Sequence, residues 1–170
     1  MEDDYQNRLV IVQAFEHMVA ARIAEGWIAY YVNFMFYQLP EKKVIKFAIM
    51  ADHVTRVYQT LLTCVVRRPT SKRWSRWNPI LIGCPDNQVA KRNHKADIAH
   101  VNDGWHFNAV ILLPPDGHSR FREHLQNHFV ANRDRYCRRG DALERIHVTP
   151  VTYDTMVDYA LKQFKRAAPI

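Results

Sequence analysis

One segment of the chain joins a turn signal to a strongly apolar run: Asn102-Asp103-Gly104-Trp105-His106-Phe107-Asn108-Ala109-Val110-Ile111-Leu112-Leu113. Asn, Asp and Gly favour a tight turn, and the residues that follow suit a β-strand. Because side chains alternate across a strand, we expect His106 and Asn108 on one face, and Trp105 and Phe107 on the other. A strand that is apolar on both faces is normally central, so a buried His and Asn need partners. The segment predicts a central strand that carries two potential ligands for one metal ion.

Hydrophobic periodicity along the rest of the chain predicts alternating helices and strands. The expected helices are residues 6–24, 42–66, 118–132 and 154–166, and the expected strands are residues 27–37, 78–84, 105–113 and 145–151. After the first helix, this order is that of a ferredoxin-like (split β-α-β) antiparallel sheet. The sequence therefore predicts an α+β fold, with an N-terminal helix in residues 1–26 packed on a single domain of residues 27–170.

Composition excludes several classes of protein. The 170 residues are 48% hydrophobic, which suits one globular domain with a sizeable core. We expect a cytoplasmic protein without membrane contact, because the start Met1-Glu2-Asp3-Asp4 lacks signal-peptide features and no apolar run is long enough to span a bilayer. Three scattered cysteines support neither a disulfide framework nor a zinc ribbon. The chain also lacks a glycine-rich phosphate loop and a Gly-x-Ser-x-Gly motif.

A formal net charge of +7 indicates a polyanionic partner, of which nucleic acid is the most common. The basic residues form three groups: Arg67, Arg68, Lys72, Arg73 and Arg76; Lys91, Arg92 and Lys95; Arg133, Arg135, Arg138 and Arg139. Trp74 and Trp77 lie within the first group and could stack on unpaired bases. The simpler interpretation is a solvated basic surface on which the two tryptophans close the edge of the core. The residues that we expect to contact nucleic acid are Arg68, Lys72, Arg73, Trp74, Arg76, Trp77, Lys91, Arg92, Lys95 and Arg166.

The third metal ligand is left open by the sequence. In the predicted sheet, strands 78–84 and 105–113 lie close together, which brings Asp86 near His106. The intervening loop also contains His94, Asp97 and His100. If residues 102–104 form a three-residue hairpin loop, His100 faces His106, whereas a two-residue loop turns His100 away. The choice is therefore between Asp86 and His100, with Asp97 as a further option.

The closing helix carries a second chemical feature. Its apolar stripe is Val157, Ala160, Leu161 and Phe164, and a different face carries Thr155, Tyr159, Lys162 and Arg166. Tyr159 is thus off the packing stripe and lies one helical turn from a lysine.

Taken together, these residues resemble a known family, the HUH endonucleases, which include the replication initiators of rolling-circle plasmids and viruses and related transposases and relaxases. That family has a strand with His-apolar-His and, downstream, a helix with Tyr-x-x-Lys. The similar residues here are His106-Phe107-Asn108 and Tyr159-Ala160-Leu161-Lys162, while Tyr31-Val32-Asn33-Phe34-Met35-Phe36 looks like the family's aromatic first motif. The resemblance covers roughly residues 27–166. The chain departs from the pattern at Asn108, whose neutral amide oxygen suits hard Mg²⁺ or Mn²⁺ better than softer metals.

The resemblance implies a metal-dependent endonuclease that nicks and joins single-stranded DNA through a 5′-phosphotyrosine, in replication initiation or mobile-element transfer. His106, Asn108 and either Asp86 or His100 would hold Mg²⁺ or Mn²⁺. Tyr159 would attack phosphorus, and Lys162 would stabilise the tyrosinate or hold a phosphate oxygen. The implied partners are single-stranded DNA or a DNA hairpin, together with a host helicase.

Two other interpretations fit the same residues. In the first, the chain is a non-catalytic, domesticated nucleic-acid-binding module in which Asn108 records lost metal chemistry. In the second, the protein is purely structural, and His106 and Asn108 satisfy each other's hydrogen bonds.

Overall fold

The computed structural model describes residues 2–87, 101–150 and 156–166 and contains a four-stranded antiparallel sheet with helices on both faces. The strands are β1 (Ile28–Phe36), β2 (Ile80–Asn87), β3 (Trp105–Leu113) and β4 (Leu143–Pro150). The helices are α1 (Glu2–Ala24), α2 (Lys43–Val65), α3 (Leu125–Ala131), α4 (Arg133–Tyr136), α5 (Met156–Ala160) and α6 (Lys162–Arg166), with short 3-10 helices at Ser75–Trp77 and Val101–Gly104. None of the described helices is long and apolar enough to cross a membrane.

The strands lie in the order β2-β3-β1-β4, and each neighbouring pair is antiparallel. Strand β3 is therefore central, as its sequence predicts, and from Phe107 to Leu113 each of its residues is buried. The α+β class and the antiparallel sheet predicted from the sequence are confirmed. Strand β2 lies at one edge of the sheet and β4 at the other.

Each face of the sheet has its own hydrophobic core. On the first face, α2 and α3 pack against the side chains of β1 and β3 that include Val32, Phe34, Ala109 and Ile111. On the second face, α1 and α5 pack against the opposite side chains, which include Ile82, Val110 and Leu112. This alternation is the physical reason that His106 and Asn108, which share the parity of Val110, lie on the second face beneath the closing helices.

Strand β2 is longer than the sequence predicts, since it continues past Cys84 to Asn87. Proline lacks an amide hydrogen, so the sequence predicts that the strand ends before Pro85. Because β2 is an edge strand, however, the missing donor costs no pairing within the sheet. Trp105 pairs with Asn87, and the connection between β2 and β3 therefore runs over residues 88–104. The three-residue hairpin that would have placed His100 opposite His106 is wrong.

The first helix after β3 is shorter than its hydrophobic periodicity predicts. Instead of starting at residue 118, α3 starts at Leu125, because side chains bond to nearby backbone: Ser119 Oγ accepts from the Phe121 amide at 2.9 Å, and Arg122 donates to Ser119 O at 2.6 Å. The closing helix is divided into α5 and α6. At the division, the Cys84 thiol donates to the carbonyl of Ala160 at 3.2 Å, which ties this helix to β2.

A substitution at Gly83 tests the packing between β2 and β3. A Cβ atom at this position would lie 2.3 Å from the carbonyl oxygen of Asn108 and 2.7 Å from the Cβ of Ala109. Because the first obstacle is backbone of the central strand, it cannot move away cheaply. We expect Gly83→Ala to lower the free energy of unfolding by about 2 kcal/mol or more, measured by urea denaturation.

Gly117 provides the matched control, since an added Cβ there meets nothing within 4 Å. Gly117→Ala should change the free energy of unfolding by less than about 0.5 kcal/mol. Equal stabilities for the two variants would contradict the packing of β2 on β3.

Candidate functional site

The register of three strands brings the polar residues of the second face together. Asp86 on β2 lies opposite His106 on β3, and Asn108 on β3 lies opposite Asn33 on β1. Asp86 thus occupies the strand position facing His106. His100, the other option from the sequence, lies outside the described residues, as do His94 and Asp97.

Asp86 is the centre of this cluster and is only 1% exposed. Its Oδ2 atom accepts from the Asn108 side-chain amide at 2.8 Å and from the Lys162 ammonium at 2.9 Å. Its Oδ1 atom accepts from the backbone amide of Asn87 at 2.8 Å. A buried carboxylate is tolerated only with such partners, because desolvation of a lone charge is costly. Lys162 comes from α6, so the closing helix and the edge strand are joined at this point.

Asn108 and Asn33 form a chain of amides that leads to Asp86. Asn33 donates its Nδ2 hydrogen to Asn108 Oδ1 at 2.9 Å, and Asn108 in turn donates to Asp86. Asn108 is completely buried, and in this orientation it presents a donor to the carboxylate while its oxygen faces Asn33. The sequence pattern predicts no functional role for Asn33. The available signal was a polar residue within the otherwise apolar strand Ile28–Phe36.

His106 is oriented by the turn that precedes β3. Its Nδ1 atom lies 3.0 Å from the carbonyl oxygen of Gly104, which can only accept, so Nδ1 carries the hydrogen. In a neutral imidazole the lone pair is then on Nε2, which lies 3.8 Å from Asp86 Oδ2. Gly104 has a φ of 79°, a conformation that glycine adopts without strain. A carbonyl that fixes the imidazole tautomer is the usual support of a metal-binding histidine.

His106 and Asp86 are the two side chains of this cluster that carry atoms of metal-ligating type. Their nearest such atoms, His106 Nε2 and Asp86 Oδ2, lie 3.8 Å apart. Within the part of the chain that the structure describes, no three His, Cys, Asp or Glu side chains are close enough to share an ion. Mg²⁺ is commonly bound through one or two carboxylates together with waters and substrate phosphate, and Asp86 is the carboxylate of this cluster.

Tyr159 and Lys162 lie next to each other at the surface of the same cluster. The Lys162 ammonium is 4.9 Å from the centre of the Tyr159 ring, and Tyr159 is 53% exposed. Its ring also meets the edge of the Tyr31 ring, with centroids 5.7 Å apart. Burial raises the pKa of Tyr31 above its usual value, and the nearby Tyr159 and Asp86 add to this effect. Of the two phenols, only that of Tyr159 is both exposed and beside a cation.

The second face of the sheet continues to β4 as an exposed polar strip. Arg145, His147 and Thr149 pair with Met35, Asn33 and Tyr31, respectively, and all three are exposed. The strip therefore borders the Asp86 cluster on the side of Asn33. These three residues are not among the expected nucleic-acid contacts, and the polar-apolar alternation of residues 145–149 is the sequence signal for them.

The basic and aromatic segment before β2 is not part of this cluster. Its cations Arg68, Lys72, Arg73 and Arg76 are exposed, whereas Trp74 and Trp77 are half-buried. Trp74 packs against the core of the first face and Trp77 against that of the second, so both close core edges. The segment lies at the start of β2, and Asp86 lies near its end, a separation of roughly 20 Å along the strand. Lys91, Arg92 and Lys95 lie outside the described residues, and Arg166 is the last residue of α6.

No family model, curated protein or solved structure matches this chain.

Lys162 should be important for stability because its partner is buried. Its ammonium pairs with Asp86, whose side chain is 1% exposed, and the side chain of Lys162 is itself 19% exposed. We expect Lys162→Met to lower the free energy of unfolding by about 3 kcal/mol at neutral pH, because an unpaired carboxylate would remain in the interior. Chemical denaturation measures this loss.

Lys165 offers a closely matched control on the same helix. Its side chain is also 19% exposed, but its partner Asp158 is 48% exposed. Lys165→Met should cost less than about 1 kcal/mol. A double variant that combines Asp86→Asn with Lys162→Met should recover part of the loss, and an additive double variant would contradict a direct interaction.

Proposed function

We propose that this protein is a metal-dependent endonuclease and strand transferase for single-stranded DNA, built on a ferredoxin-like sheet. One observation carries the proposal. Asp86 Oδ2 lies 2.9 Å from Lys162 and 3.8 Å from His106, and the same ammonium lies against the ring of Tyr159. A ligand pair, a cation and an exposed phenol thus converge in one place. These are the parts that transfer of a phosphoryl group to tyrosine needs.

His106 and Asp86 would hold the ion. Bound Mg²⁺ or Mn²⁺ supplies charge that polarises the scissile phosphate and stabilises its negative transition state. The donation from Asn108 fixes the orientation of the Asp86 carboxylate, and Asn33 fixes that of Asn108. The carbonyl of Gly104 keeps the Nε2 lone pair of His106 directed towards the site. The expectation that Asn108 is itself a ligand stays a prediction.

The covalent step is a transesterification that needs no further reactant. The Oη atom of Tyr159 forms a bond to phosphorus, the bond from phosphorus to the 3′ oxygen breaks, and the phenol proton is balanced by the proton that the 3′ oxygen gains. The products are a 5′-phosphotyrosine and a free 3′ hydroxyl. Lys162 would favour this step because its ammonium stabilises negative charge on the phenolate or on a phosphate oxygen. Reversal of the same step would join strands.

The DNA strand would approach over the exposed strip of β4. Arg145, His147 and Thr149 border the cluster and can contact phosphates, and the net charge of +7 favours a polyanion in general. A hairpin substrate and a host helicase remain predictions of the family resemblance.

Tyr159→Phe tests the nucleophile. The parent protein, incubated with labelled single-stranded oligonucleotides of varied sequence and Mn²⁺, should form a covalent adduct that survives denaturing gel electrophoresis. Tyr159→Phe should form none, because it removes the attacking oxygen, and activity should fall by more than about a thousandfold.

Tyr31→Phe is the control, since Tyr31 contacts the ring of Tyr159 but is only half-exposed and has no cation beside it among the described residues. It should retain the adduct within about tenfold of the parent. An adduct that persists in Tyr159→Phe, or a parent that forms none with any oligonucleotide, would refute the proposed chemistry.

The ion can be tested without any DNA. If Mn²⁺ binds the folded state at His106 and Asp86, it should raise stability by about 2.7 kcal/mol at a concentration one hundred times its dissociation constant. Thermal or urea denaturation of His106→Ala should show no such gain. His147→Ala, which removes an exposed imidazole from the same face of the sheet, should keep it. Loss of the Mn²⁺ effect in both variants, or in neither, would contradict the proposed ligands.

A non-catalytic nucleic-acid-binding module is the second candidate, and one observation favours it. The charge of Asp86 is already balanced by Lys162 at 2.9 Å, so the fold itself does not require an ion. A protein of this kind would bind DNA without gaining stability from Mn²⁺ and without an adduct at Tyr159.

A further inference from the structure

A cavity lies near the start of β2, and Asp86 lies near the end of the same strand. The cavity has a volume of about 610 Å³ and opens at the edge of the sheet between α2 and the start of the strand. Its wall is largely apolar, with Val54, Ile80, Leu81 and Phe107, and it includes the ring of Tyr58. This size and composition are typical of a pocket for a small organic group.

The polar groups of this cavity favour an anion. The guanidinium groups of Arg22 and Arg76 line it, and no carboxylate is among its lining residues. Arg22 pairs with the exposed Glu25 at 2.7 Å, whereas Arg76 makes no ion pair with the carboxylates that the structure describes. Arg76 instead stacks on Trp77, with its guanidinium carbon 5.1 Å from the ring centroid. Stacking leaves its hydrogens free to bind an anion and reduces the loss of side-chain entropy on binding.

We propose that this pocket binds a nucleotide, with the base against the apolar wall and the phosphate at Arg76 and Arg22. The choice of a nucleotide rests on the proposed function. The pocket and the Asp86 cluster share the edge strand, because Leu81 and Asp86 are separated by about 16 Å of β2. An unpaired nucleotide of a DNA strand held at Asp86, or a free mononucleotide, has the chemistry that the pocket requires.

Calorimetric titration of the full chain, in buffer without divalent ions, tests this site with dAMP and with a short single-stranded oligonucleotide. Arg76→Ala should weaken binding about tenfold, the usual loss for a hydrogen bond to a charged group. The control is Arg120→Ala, because Arg120 is also exposed, does not line the pocket and is not among the residues expected to contact nucleic acid. It should change the affinity for dAMP less than twofold.

A variant that fills the pocket without changing its charge shows whether binding is weakened by blocking the pocket or only by removing a positive charge. Thr55 on α2 lines the pocket and is exposed, so Thr55→Trp should fill the cavity and weaken binding at least as much as Arg76→Ala. Gln59 is exposed one helical turn later and does not line the pocket, so Gln59→Trp should bind like the parent. The urea denaturation midpoints of all four variants should be measured to check that each one folds.

Weaker dAMP binding in both pocket variants, and not in the controls, would support a site for free nucleotides. If dAMP does not bind but both pocket variants bind the oligonucleotide more weakly than their controls, the occupant is a nucleotide of a DNA strand. Pocket variants that bind both ligands like their controls would overturn the inference. The adduct at Tyr159 is measured on the same proteins: an adduct without any pocket effect refutes the pocket alone, and a pocket effect without an adduct refutes nicking alone.

Discussion

The interaction on which the site depends is the solvation of one carboxylate by protein groups. Asp86 is 1% exposed, so water cannot stabilise its charge, and the fold must provide hydrogen bonds and a cation instead. The hydrogen bonds come from the side-chain amide of Asn108 on the central strand and from the backbone amide of Asn87, the next residue along the chain. The cation is Lys162 of the closing helix. The same requirement attaches α6 to the edge strand and keeps Tyr159, three residues before Lys162, beside the cluster.

The register of the sheet determines whether these groups can meet. Hydrogen bonds pass from Asn33 on β1 through Asn108 on β3 to Asp86 on β2, and so they cross three adjacent strands on one face. A shift of one residue between any two of these strands would turn the polar side chains towards the apolar core of the other face. The close packing of Gly83 against the backbone of Asn108 opposes such a shift. The relative positions of Asn33, Asn108 and Asp86 are therefore fixed by strand pairing.

Much of the fold could be predicted from the sequence, because the hydrophobic periods are strong where elements pack on both sides. The central position of β3 follows from the apolar run after Gly104, and the α2 helix was predicted within a residue at each end. The failures have local causes. The end of β2 was predicted too early because a proline such as Pro85 is tolerated within a strand only at the edge of a sheet. Which strand lies at the edge is a property of the whole sheet. For α3, the backbone bonds made by Ser119 and Arg122 were not visible in the apolar pattern.

The candidate site was only partly predictable for the same reason. His106 and Tyr159 are recognisable from their spacing, and the strand order brought Asp86 into consideration, but a choice between Asp86 and His100 required the register. Asn33 and the exposed strip of β4 were missed because a single polar residue in a strand does not show which strand lies opposite. Local patterns indicate which face a residue occupies, whereas contacts between strands depend on pairings distant in sequence.

In the proposed site, Lys162 and a divalent ion would compete for the same carboxylate oxygen of Asp86, Oδ2. Since Oδ2 already accepts from the ammonium at 2.9 Å, an ion at His106 and Asp86 must displace or share that contact. The work of displacement reduces the affinity for the ion when no substrate is present. A DNA phosphate would lower this cost, because it would offer the Lys162 ammonium a new anion in place of Asp86. In this proposal, the exchange of partners at Asp86 would couple ion binding to substrate binding. The Lys162 ammonium, which lies beside Tyr159, would leave Asp86 when a phosphate binds.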